Sequence, residues 1–94
     1  MPRYKVVATV TGATNDAEVQ LNAVDVPMTA SGGDQWDGKK NLNLPLSPVP
    51  LRVSVVGMVP PWGVKITFTP PRPAPTANPY DQEKLTATPW LDMV

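Results

Sequence analysis

The chain contains neither cysteine nor histidine. Disulfides are therefore excluded, and so are zinc, copper and haem sites built on thiolate or imidazole within one chain. Ser31, Ser47 and Ser54 have no histidine or cysteine with which to form a nucleophilic pair. Clustered charge is also missing. Arg3, Lys5, Lys39, Lys40, Arg52, Lys65, Arg72 and Lys84 are dispersed, with one adjacent pair, and eight acidic residues balance them. Phosphate-backbone binding needs a basic footprint, so no nucleic-acid partner is expected. No apolar run approaches the roughly 20 residues that cross a bilayer as a helix, so no membrane span is expected. The start, Met-Pro-Arg-Tyr-Lys, enters a strand pattern directly and lacks the apolar core of a signal peptide.

Proline is what the chain has in quantity: 13 of 94 residues. Five of them fall in Pro70-Pro-Arg-Pro-Ala-Pro-Thr-Ala-Asn-Pro79. Proline fixes φ and carries no backbone N–H, so this stretch joins neither a helix interior nor a central strand. It reads as a semi-rigid extended strap. The chain then divides into a body over residues 1–69 and a proline-rich strap with a C-terminal arm or final strand over 70–94. A body of this size lies where small scaffolds need a disulfide, a metal or a partner subunit. With the first two excluded or unsupported, oligomerisation is the expected support. Pro70 to Pro73 also matches P-x-x-P, a weak pattern that reads first as a spacer.

Within the body, apolar and polar residues alternate. Tyr4, Val6, Ala8 and Val10 share one face of a first strand over 4–11. A second strand is expected over 18–26. Its apolar parity switches from Val19, Leu21 and Ala23 to Val24 and Val26, which is what a β-bulge produces. Residues 29–38 read as a polar loop. Further strands are expected at 41–46, 51–56 and 62–69. In the last, Trp62, Val64, Ile66 and Phe68 form the cleanest amphipathic face. Val59-Pro-Pro-Trp-Gly63 reads as a rigid corner. Asp81 to Lys84 fits one helical turn, and Lys84 to Trp90 fits a sixth strand. The expected fold is all-β: a small β-sandwich of immunoglobulin-like or transthyretin-like architecture with a proline-rich C-terminal arm.

No catalytic signature emerges, and the chain is expected not to be an enzyme. The loop carboxylates Asp34 and Asp37 suit turn formation better than paired-carboxylate chemistry. They are also too few for calcium, which takes six to eight oxygens. No metal and no cofactor is expected. Contact chemistry is better represented. Trp36 stands among Asp34, Gln35 and Asp37 and is expected to be exposed, as a platform for a sugar ring or a protein surface. Tyr80 and Trp90, flanking the strap's exit, are further candidates. Two readings follow. The first is a structural or assembly protein that self-associates or binds a protein partner, as a homo-oligomer, through an arm carrying Leu85, Trp90, Leu91 and Met93. The second is a glycan-binding β-module. Packing of the arm on its own body competes closely with its packing on a neighbour.

Overall fold

The computed structural model describes all residues, 1–94. Seven strands form one antiparallel sheet, without a helix. They are β1 (Arg3–Leu21), β2 (Val24–Val26), β3 (Met28–Gly32), β4 (Gln35–Asn43), β5 (Pro50–Thr69), β6 (Tyr80–Leu85) and β7 (Trp90–Met93). The backbone of the fold is the ribbon made by β1 and β5, of 19 and 20 residues, paired from Lys5↔Thr69 to Leu21↔Leu51. The outer strands attach to its two halves. β4, then β3, flank the first half of β1, and β6 flanks the second half of β5. β2 and β7 flank the other half.

A straight strand of that length would approach 60 Å at about 3.3 Å per residue. The longest axis of the molecule is 36 Å, so the ribbon bends back. The bend lies where both strands break register. Between the pairs Thr11↔Gly63 and Ala13↔Met58, β1 has only Gly12, while β5 has Val59 to Trp62. Pro60 and Pro61 fall in this unpaired stretch, where their missing N–H groups cost no ladder bond. Gly12 sits at φ 90°, and an ideal Cβ there would stand 2.7 Å from Trp62 Cβ. Only glycine meets both demands.

The bend also explains the burial pattern. Tyr4, Val6, Ala8 and Val10 are buried, then Ala13, Ala17, Val19 and Leu21; parity shifts at Gly12. On β5 it shifts from Leu51, Val53 and Val55 to Trp62, Val64, Ile66 and Phe68. Each bulge turns the strand while keeping one face inward. Both halves contribute to a single cluster of 21 buried hydrophobic residues.

Several expectations are corrected. The strands expected at 4–11 and 51–56 extend through the bend into β1 and β5, and the expected corner at 59–63 lies inside β5. The parity switch within 18–26 is a two-residue hairpin, not a bulge. Leu21 pairs with Val24, and Asn22 and Ala23 hold φ of 51° and 64°, the type I′ geometry that suits the strand twist. Residues 29–38 are mostly the β3–β4 hairpin, turning at Gly33 and Asp34. The strand expected at 41–46 is β4, which starts earlier and ends before Pro45. Asp81 to Lys84 is strand rather than helix, and the sixth strand expected over 84–90 resolves into β6 and β7. Of the two alternatives for residues 70–94, arm or final strand, the pairing within the chain is that of added strands: β6 and β7 both pair with β5.

Candidate functional site

Alternation along β4 divides the loop residues singled out in the sequence. Gln35 and Asp37 point to one face and Trp36 to the other. The Trp36 indole is half-buried against the core, not exposed, and its Nε1 donates to the Ala13 carbonyl at 2.8 Å. On the outer face, Asp37 Oδ1 accepts from Thr9 Oγ1 at 2.8 Å, and Oδ2 accepts from Gln35 Nε2 at 3.2 Å. The hydroxyls of Ser31 and Thr9 and the Gln35 amide hold the Asp37 carboxyl below its ordinary value. Asp34 is exposed; its backbone carbonyl accepts from the Gly12 and Ala13 N–H groups, both at 3.1 Å. It thus braces the bend. Trp36, Asp34, Gln35 and Asp37 do not converge on one platform.

Tyr80 and Trp90 do come together. Trp90 Nε1 donates to Tyr80 Oη at 2.7 Å, and Tyr80 Oη donates to Asp92 Oδ2 at 2.8 Å. Tyr80 is buried and Trp90 half-buried against the core. Burial, with the Asp92 carboxylate adding to it, pushes the Tyr80 phenol up to about 12. Both rings thus link β6 to β7 through their polar edges.

Arg72 carried no signal in the sequence beyond its place in the strap, yet it is the one buried charged residue. Its guanidinium lies 5.0 Å from the Tyr4 ring centroid and 5.9 Å from that of Phe68. Nη1 donates to the Pro45 carbonyl at 2.7 Å, and Nη2 to those of Ser47 and Val94 at 2.9 and 3.2 Å. Asn78 closes the strap on itself, its side chain bonding the Arg72 N–H and carbonyl at 2.9 and 2.8 Å. The residue joins the start of β1, the β4–β5 loop and the end of β7.

What remains on the surface is an apolar groove on the outer face of the β2–β1–β5–β7 half. It encloses about 470 Å³, and its lining includes Ala23, Pro50, Leu91 and Met93, with Arg52 and Asp92 also present. Leu91 and Met93 are 65% and 57% exposed. They stand two apart on β7 and so share a face. β7 pairs only with β5. Val49 and Val94 exchange both backbone bonds just beyond its end. By the alternation of an antiparallel ladder, the Leu91 N–H and C=O then point away from β5. The sequence marks Leu91 and Met93 as apolar residues in need of cover and groups them with Leu85 and Trp90. Those two are half-buried and pack against the core of their own chain.

No group of three or more carboxylates is placed to hold a metal ion, and no helix is long and apolar enough to cross a membrane. No protein-family model matches the chain, and no curated protein or solved structure is significantly similar to it.

Proposed function

We propose that this chain is a non-enzymatic assembly protein that associates with a second copy of itself through the β7 groove. The observation that carries the reading is the exposure of Leu91 and Met93 on an edge strand whose outer side is unpaired. Open edges and exposed apolar pairs are otherwise selected against, because they template association. A second copy suits the groove. The chain has no net charge to oppose self-contact. The groove carries one cation, Arg52, and one carboxylate, Asp92. Both are met within the chain, Arg52 by Glu18 at 3.6 Å and Asp92 by the Tyr80 hydroxyl at 2.8 Å, so neither leaves an unpaired charge to repel a second copy. The glycan-binding reading has less support, since Trp36 faces away from Gln35 and Asp37 and its indole N–H is already taken.

Sedimentation velocity across a concentration series tests the proposal. The expected result is a reversible dimer that Leu91→Asp converts to a monomer with unchanged circular dichroism. A wild-type chain that stays monomeric at millimolar concentration, or a Leu91→Asp chain that still dimerises, overturns it.

A further inference from the structure

The bent sheet brings together cations that the sequence disperses. Lys5 pairs in register with Asn41, and the next outward-facing pair is Val7 with Lys39. Lys5 and Lys39 are thus diagonal neighbours on one face, with Cα atoms about 7–8 Å apart. Lys40 follows directly on β4 in register with the buried Val6, so it lines the hollow at the strand edge while its side chain leaves on the opposite face. These three lysines and Asn41 are the whole lining of an open concavity of about 470 Å³. All four are exposed. The molecule's single salt bridge is Arg52 with Glu18, at 3.6 Å, so none of the three ammonium groups has a carboxylate within 4.0 Å. The closest carboxylate along the strand, Asp37, is held by Thr9 and Gln35.

We propose that this concavity, through Lys5 and Lys39, binds a small oligo-anion carrying at least two tetrahedral oxyanion groups, phosphate or sulfate. Each lysine supplies three donors and a full charge, and Asn41 supplies an amide. The ammonium groups of Lys5 and Lys39, unpaired on one face, repel one another until an anion neutralises them. Single-stranded nucleic acid fits less well, because no aromatic side chain lines the hollow to stack a base. A lipid surface fits less well too, because nothing apolar lines it. The site lies on the other half of the ribbon from the β7 groove, so it does not rest on the assembly reading.

Calorimetric titration at low salt with inorganic triphosphate, and separately with a fully sulfated heparin disaccharide, tests it. Binding of triphosphate alone assigns a phosphate ligand; binding of the disaccharide alone assigns a sulfated one; binding of both keeps the shared chemistry. In each case Lys5→Gln and Lys39→Gln should each weaken binding by about two- to fivefold, the loss of one exposed charge pair. Lys84→Gln, on β6, should leave it unchanged. Amide shift changes in the wild-type protein should centre on residues 5 and 39–41. Absence of binding by both probes, or binding that the Lys5→Gln/Lys39→Gln double variant retains, overturns the proposal.

Discussion

Trp90 donates its indole N–H to the hydroxyl of Tyr80 at 2.7 Å, and that hydroxyl passes its own proton's bond to Asp92 at 2.8 Å. One phenol therefore joins two strands that no backbone bond connects. β6 and β7 each pair with β5, and Tyr80 fixes their relative position. Tyr80→Phe should leave a donor and a carboxylate without their partner and cost about 1–3 kcal/mol, read by chemical denaturation.

The same phenol sets an alkaline limit. Its folded value, about 12, lies above the ordinary 10.0. A group raised on folding contributes stability that is fully present below its unfolded value and is lost as pH rises through the folded one. Stability should hold to pH 10 and fall between pH 10 and 12. Tyr80→Phe should flatten that fall; an unchanged profile in the variant would assign it to another group.

Gly12→Ala should be among the most damaging single substitutions. Its Cβ would stand 2.7 Å from Trp62 Cβ and 2.8 Å from Trp62 Cα, at φ 90°. Neither neighbour is the movable end of a side chain. A loss of more than about 2 kcal/mol is expected from the strain and overpacking together. Gly33→Ala, with nothing within 4 Å of the added Cβ, should cost only the left-handed backbone penalty of about 1–2 kcal/mol. Comparing the two denaturation midpoints checks the ranking.

Arg72→Lys should not rescue Arg72→Ala. The guanidinium serves three carbonyls on two nitrogens and lies against two rings. A compact ammonium lacks that planar fork. Both variants should lose about 2–4 kcal/mol, since buried carbonyls lose their donors. Near-wild-type stability in Arg72→Lys would mean that charge alone matters there.

Removing residues 70–94 should unfold the body instead of releasing it. The deletion strips β6 and β7 from both halves of β5 and takes away the Ala87 carbonyl that accepts from Trp62 Nε1 at 3.0 Å. It also removes Arg72. A truncated chain with native circular dichroism and a cooperative melt would show that residues 1–69 stand alone.

Asp37 offers a local check by NMR titration. Its carboxyl is held below 3.8 by Ser31, Thr9 and Gln35. Thr9→Val, which removes the 2.8 Å bond to Asp37 Oδ1, should move it back up toward that value. The contribution to stability is present above the unfolded value and is lost as pH falls through the folded one.

Alternation by itself determined which residues face inward along the two long strands, β1 and β5. Tyr4, Val6, Ala8 and Val10, and Trp62, Val64, Ile66 and Phe68, are legible because a strand repeats every two residues and one face must be buried. The absence of cysteine and histidine settled, without any structure, which metal and nucleophile chemistries are unavailable. Tertiary structure decided the rest. A parity switch in sequence is the same whether it marks a bulge, as at Gly12, or a hairpin, as at Asn22 and Ala23; only the pairing partner separates them. Trp36 looked exposed because its sequence neighbours are polar, but the face on which a side chain lies depends on strand register, not on those neighbours. The proline strap showed that residues 70–79 could not enter the sheet. Where it goes is set by tertiary pairing: β6 and β7 return to β5, and Arg72 meets its carbonyls and rings where the folded ribbon brings the start of β1 to the end of β7. The lysine hollow has the same origin: Lys5 and Lys39 meet only through the pairing of β1 with β4.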